Sequence, residues 1–119
     1  MGITGKWRIA KAELGGKQLP GASFEKLVLD MDENSYQLLE DKVIESAILH
    51  LVPGSSPQTM VITGTFGPNR GKTFRCIYEF EGEDLIMCYN LDGYGAPATF
   101  QTFENTLLYL VRYQRIPEK

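Results

Sequence analysis

Three features of the 119-residue chain predict an all-β fold. Its hydrophobic periodicity is mostly two rather than the helical 3.6. Short runs rich in Val, Ile, Leu, Tyr and Phe alternate with clusters of Gly, Pro, Asn and Asp, which is the pattern of strands and turns. No internal repeat, low-complexity tract or long linker interrupts it, and the length suits one domain over residues 1–119. Consecutive strands joined by short turns form a meander. A flat meander leaves two exposed edges, and closure into a single up-and-down antiparallel barrel of about eight strands removes them.

The elements follow in order. The first strand runs from Gly5 to Leu14 and is stopped by Gly15-Gly16. Pro20-Gly21 opens a connector in which Ser23 is placed to cap a short helical turn over residues 23–26. Strands follow at Leu27 to Met31 and Tyr36 to Glu40, with Asp32-Glu33-Asn34-Ser35 turning between them. Val43 to Leu51 ends at Pro53-Gly54-Ser55-Ser56-Pro57. Thr59 to Phe66 is followed by the turn loop Gly67-Pro68-Asn69-Arg70-Gly71. Lys72 to Phe80 and Asp84 to Leu91 form a hairpin with Glu81-Gly82 as its two-residue turn. The turn-rich stretch Asp92 to Pro97 leads towards the last strand, Leu107 to Arg115.

Alternation assigns an inward face: Trp7, Ile9, Leu27, Leu29, Met31, Tyr36, Leu38, Leu49, Leu51, Met60, Ile62, Phe74, Cys76, Tyr78, Phe80, Leu85, Met87, Tyr89, Leu107, Tyr109 and Val111. An eight-stranded barrel is just wide enough to be filled by side chains or to hold one small ligand. The inward tyrosines bring hydroxyls that need partners when buried, and methionine adapts to irregular walls. Tyr36, Met60, Phe66, Tyr78, Met87, Tyr89 and Tyr109 are therefore the expected wall of a binding pocket.

The sequence also resembles a family. Gly5-Lys6-Trp7 opens the first strand, and Arg112 or Arg115 sits on the last. A Gly-x-Trp start with a closing Arg resembles the calycin arrangement of lipocalins, in which the Arg lies over the indole at the closed end of the barrel; a cation over an indole is worth about 0.5–2 kcal/mol. The chain is similar, over nearly its whole length, to small lipocalin-like domains of unknown function from planctomycetes and other bacteria. The matching segments are Glu13-Leu14-Gly15-Gly16-Lys17-Gln18-Leu19-Pro20 (with one extra Gly), Glu45-Ser46-Ala47, Leu51-Val52-Pro53, Gly67 to Thr73, Ile77-Tyr78-Glu79, Gly82-Glu83-Asp84-Leu85 and Cys88-Tyr89. Ala96, Val61 and Val52 depart from the family's Arg, Asp and Asp at those places. The resemblance implies a lipocalin-like barrel, with Trp7 and Arg115 as the closing pair because Arg115 aligns with the family's terminal Arg. It implies no activity.

Composition narrows the function. With 12 Lys plus Arg against 15 Asp plus Glu, the net charge is −3, which excludes a nucleic-acid binder working through bulk positive charge. No run approaches the ~18 apolar residues of a membrane span, and no secretory leader is visible. Two cysteines are too few for a disulfide framework, so reduced thiols and a cytoplasmic location are expected. Gly71-Lys72-Thr73 ends like a phosphate-binding loop, but Phe66 stands at the first Gly position and a strand follows. His50, the sole histidine, alternates to the outer face. Glu79, Glu81, Glu83 and Asp84 read as a solvated, charged turn rather than a calcium site. Arg70, Lys72 and Arg75 form a basic patch too small for a nucleic-acid track. In the predicted hairpin Tyr78 faces Leu85 and Cys76 faces Met87, with Cys88 outward beside Ile86, so the two sulfurs lie on opposite faces.

No catalytic residue, metal or cofactor is assigned. The expected function is the binding of one small, mostly apolar ligand in the barrel, at a mouth framed by Gly16 to Lys26 and Asp92 to Pro97. A pocket of about 300 Å³ or more would mark that function. The alternative is a filled barrel working through its surface, for example around Tyr94, as a monomer or a homodimer. No nucleic acid or membrane is an expected partner.

Overall fold

A computed structural model describes residues 2–93 and 95–117. Among them are nine strands: β1 (Gly5–Leu14), β2 (Lys17–Gln18), β3 (Val28–Met31), β4 (Ser35–Glu40), β5 (Lys42–Val52), β6 (Gln58–Phe66), β7 (Thr73–Glu81), β8 (Asp84–Asn90) and β9 (Leu108–Arg115). All neighbours are antiparallel, and β1 pairs with both β3 and β9. The result is a closed up-and-down barrel of eight strands with β2 outside it. Each of the eight expected strands is present with ends within one residue of its expected limits.

The barrel closes because three strands bend. Register shifts lie between Ile9 and Lys11 in β1, between Leu38 and Leu39 where β4 meets β5, and between Ser46 and Ala47 where β5 meets β6. An extra residue on one side of a ladder increases local twist and re-aims the strand. Gly15 and Gly16, both at positive φ (57° and 84°), turn the chain back so that Leu14 pairs with Lys17. This is the backbone of a tight two-residue hairpin. Two-residue β2 is too short to carry a periodicity, and the sequence reading ends the strand there without it.

The connector carries a 3-10 turn at Gly21–Ser23, earlier than the turn expected over residues 23–26. Ser23 closes this turn instead of capping one, because its hydroxyl donates to Pro20 O at 2.6 Å. Phe24 then turns inward and is buried against the core.

The β7–β8 turn is also displaced. Glu81 pairs with Asp84, so Gly82 (φ 62°) and Glu83 are the turn residues. Gly82 takes the first central position, as a type II′ turn requires. Cys76 therefore faces Tyr89, Tyr78 faces Met87 and Phe80 faces Leu85. The shift is two residues, so every side chain keeps its expected face.

The core runs the length of the barrel. Trp7, Met31, Met60, Ile62, Cys76, Leu85, Met87 and Val111 fill the half around Trp7 and the middle, essentially without exposure. Two residues assigned inward leave the core at strand ends: Leu51 is 36% exposed and Leu107 is 51% exposed. Strand alternation carries no information about where a strand passes the end of the barrel.

The long connection from β8 to β9 lies against the outer face. Gly16 N–H donates to Thr102 Oγ1 (2.8 Å), the Thr102 hydroxyl bonds the Glu13 carboxylate, and the Cys88 thiol points at Gln101 O (3.8 Å). Ile77, Ile86 and Cys88 are buried although they belong to the outward row. Tyr94, in the middle of the stretch expected as an interaction surface, lies outside the described residues. No helix among the described residues is long and apolar enough to cross a membrane.

Candidate functional site

The two barrel ends differ. At one end Trp7, with no exposed surface, donates its indole N–H to Ile3 O at 2.9 Å. The Arg115 guanidinium lies 4.2 Å from the indole centroid. It donates to Thr4 O (2.7 Å) and Gly2 O (2.9 Å), so it ties the N-terminal segment over the ring. Gly5 makes room for this: it sits at φ 143°, and a Cβ there would lie 2.5 Å from Arg115 Nη1. Of the two candidate arginines, Arg115 takes this place. Arg112 points outward and pairs with Glu81 (2.8 Å) and Asp84 (2.7 Å).

At the opposite end the barrel holds a cavity of about 100 Å³. Tyr36, Phe74, Tyr89, Tyr109 and Tyr113 line it, with aliphatic side chains including Leu27, Leu38 and Leu91, and with Glu45 and Asn69. Its volume equals about three water molecules at about 30 Å³ each. It is well under the expected 300 Å³, because Met60 and Met87 occupy the barrel centre with no exposed surface. An unbranched thioether side chain fills irregular space well.

The polar groups of this cavity form two sets. Tyr89 and Tyr113 hydroxyls share a hydrogen bond of 2.7 Å, and Tyr89 Oη also approaches Met87 Sδ at 3.4 Å. Glu45 Oε1 accepts from Asn69 Nδ2 (3.0 Å) and from the Tyr36 hydroxyl (3.5 Å). Tyr89 stacks on Tyr109 with centroids 5.6 Å apart, and Phe74 tilts against Tyr89 at 6.4 Å. Burial pushes the Tyr36 phenol well above its ordinary range, and the Glu45 charge pushes it further. Tyr109 is raised by the same two causes, burial first. Tyr89 and Tyr113 are raised chiefly by burial. All four are neutral donors at neutral pH, and among the described residues Glu45 is the one carboxylate on the cavity wall.

Asn69 reaches Glu45 because its loop folds in. Gly67 to Gly71 is held by Gly71 N–H to Gly64 O (2.9 Å) and Arg70 N–H to Gly67 O (3.1 Å). Gly64 lies directly under Asn69 O, where any Cβ would collide with backbone. Gly67 sits at φ 91°, and a Cβ there would come within 2.5 Å of Ile44 O. The segment that ends like a phosphate loop is therefore a clamp seated on the barrel end.

The expected wall residues divide as follows. Tyr36, Tyr89 and Tyr109 line the cavity. Met60 and Met87 lie beneath it as filling. Tyr78 is buried towards the Trp7 end, opposite Gln58. Phe66 is a correction: it is 52% exposed at the end of β6, beyond the register shift that turns the strand. The expected frame is also corrected. Leu27, beside the connector, and Leu91, just before Asp92, reach the cavity, but Asn69 of the Gly67–Gly71 loop supplies the polar rim.

No family model matches the chain, and no curated protein or solved structure matches it.

Four lining residues escaped the sequence reading, and three had a visible signal: Leu91 continues the 85, 87, 89 alternation. Tyr113 continues the 109, 111, 113 alternation, and Glu45 continues 49, 47, 45. A charged residue on an inward position is the kind of local conflict that marks a site. Asn69 had none, since its approach depends on how the loop seats. Elsewhere, His50, Arg70, Lys72 and Arg75 are exposed. No three His, Cys, Asp or Glu side chains among the described residues are placed to hold a metal ion.

Proposed function

We propose that this chain is a lipocalin-like binding module that takes one small molecule, or the head of a larger one, in the tyrosine-lined end of the barrel. The observation that carries the reading is the cavity of about 100 Å³ left open above a filled core. Apolar walls with a few convergent polar groups are what small-molecule sites are made of. Leu27, Leu38 and Leu91 supply apolar wall, and Glu45, Asn69 and the phenols supply orientation. The lipocalin-like assignment is supported by the meander topology and by Arg115 over Trp7 at the closed end. Cys76 and Cys88, free and buried, support a reducing cytoplasmic setting.

Native mass spectrometry of freshly purified protein, compared with the same sample denatured, tests this reading. A retained mass that disappears on denaturation and is absent from a Leu38→Trp variant, which fills the cavity, is the expected result. A Leu38→Trp variant that keeps the mass places the ligand elsewhere and overturns the assignment.

One observation favours a second reading, a filled barrel that works by its surface. The cavity falls short of an ordinary 300 Å³ pocket, and Ile48, Val52 and Phe66 are exposed apolar side chains on the outside. Sedimentation equilibrium decides whether those residues join two copies. Self-association lost in Phe66→Ser supports the surface reading, and a monomer at all concentrations counts against it.

A further inference from the structure

The chemistry of the cavity selects among ligands. We propose that it takes a small organic cation, an ammonium head carrying apolar substituents, rather than the neutral or carboxylate-ended ligand that an apolar barrel suggests. The inference rests on the binding reading above and specifies its ligand class.

Charge is the first argument. Among the described residues, Glu45 is the only ionisable carboxylate or basic group on the wall, and no Lys, Arg or His side chain lines the cavity. Its Oε1 takes the hydrogen bonds from Asn69 and Tyr36, and no hydrogen bond to Oε2 from a described residue is present. Neutral donors orient this carboxylate, but they leave its charge unpaired. A half-buried carboxylate in this position repels a carboxylate-ended ligand and attracts a cation more strongly than it would in water. Burial is the first cause that raises the Tyr36 and Tyr109 phenols, and the Glu45 charge is the second; that second cause, which opposes a phenolate, favours a cation.

The aromatic surroundings are the second argument. Tyr36, Phe74, Tyr89, Tyr109 and Tyr113 line the same space as Glu45. Aromatic rings grouped around a small volume are the setting in which quaternary ammonium groups are held, through the ring quadrupole. A bare ammonium loses strong hydration on entry, and a substituted one loses less while gaining contact with Leu27, Leu38 and Leu91. The cavity volume of about 100 Å³ admits a compact head group and not a long chain.

The test uses choline and its neutral carbon isostere, in which a tert-butyl group replaces the trimethylammonium. Each is titrated into the full chain by two-dimensional NMR, with isothermal titration calorimetry for affinity. The expected result is that choline shifts the resonances of Tyr36, Glu45, Asn69 and Tyr109 and binds at least about tenfold more tightly than the isostere, roughly the worth of one desolvated cation–π contact. Glu45→Gln keeps an acceptor for Asn69 and Tyr36 and removes the charge, so it should cut the preference several-fold and leave only the share held by the rings. Tyr109→Leu removes a ring and leaves an apolar side chain; it should weaken choline binding several-fold, with a lower melting temperature from the lost Tyr89 stack, so binding is compared well below both transitions. If the isostere or hexanoate binds at these residues as well as choline does, the cation inference is overturned and the binding reading stands. If Glu45→Gln folds and retains the full preference, the inference is likewise overturned. If choline, isostere and hexanoate all leave the cavity resonances unmoved, and native mass spectrometry shows no retained mass, both readings fall together.

Discussion

At the closed end of the barrel, Gly5, Trp7 and Arg115 form one mechanical unit. Gly5 is required by the cation over the indole, because a methyl at that Cα would meet Arg115 Nη1. The guanidinium contributes twice, through the ring face and through the carbonyls of Gly2 and Thr4. Arg115→Ala should therefore cost about 0.5–2 kcal/mol for the cation–π contact, plus about 1 kcal/mol for hydrogen bonds of a charged donor. Gly5→Ala should lose more than Arg115→Ala, because it displaces the same guanidinium and also strains a backbone at φ 143°. Because the guanidinium contact can be lost only once, the double variant should fall short of the sum of the two single losses. Urea unfolding midpoints of the three variants measure this, and simple additivity would show that Gly5 acts on something other than Arg115.

The β8–β9 connection is the element that alters the surface most. Its Gln101 lies against Cys88 and its Phe100 beside Ile86, in an outward row whose Ile77, Ile86 and Cys88 are buried. Burial pushes the Cys88 thiol up to about 11 from its usual 9, against the lowering effect of a backbone hydrogen bond with Gln101. Cys76 is raised as well, by burial within the barrel. Only the thiolate reacts with alkylating reagents. In the native protein the Cys88 rate should therefore keep rising with pH to about 11 instead of levelling near 9. Thr102→Val removes the hydroxyl that bonds both Gly16 N–H and the Glu13 carboxylate. It should loosen the connection and speed Cys88 labelling without speeding that of Cys76. Mass-spectrometric labelling of the two cysteines reads both outcomes, and equal acceleration would mean the whole barrel had opened instead.

For the whole molecule, the notable property is a barrel built around neutral phenols. Tyr36, Tyr89, Tyr109 and Tyr113 are all raised above the ordinary value of 10, mainly by burial. A group whose folded pKa exceeds its unfolded one binds its proton more tightly when folded. Its contribution is complete below the unfolded pKa and is lost as the unfolded chain begins to ionise. Stability should therefore be insensitive to these groups below pH 10 and fall steadily above it, where unfolded phenolates form and buried ones do not. Denaturant midpoints across the alkaline range, read beside phenolate ultraviolet absorbance, test this. Phenolate absorbance from all tyrosines below the unfolding transition would contradict it.

How much of this was legible in the sequence depends on the distance over which each feature is decided. The strands, their faces and the meander order are local properties: a period of two and a turn cluster lie within a few residues, and the barrel follows from burying one face and leaving no edge. The closing pair was half legible, since Gly5-Lys6-Trp7 was plain but alternation could not choose Arg115 over Arg112. Tyr36, Tyr89 and Tyr109 were found because inwardness is periodic. Phe66 was misplaced because a register shift ends that periodicity. The cavity itself, its volume, the seating of Asn69 on Glu45 and the burial of outward-facing Cys88 were decided only by the tertiary structure. Each depends on how side chains far apart in sequence share one volume. A strand pattern specifies which way a side chain points, and only packing determines whether space remains where it points.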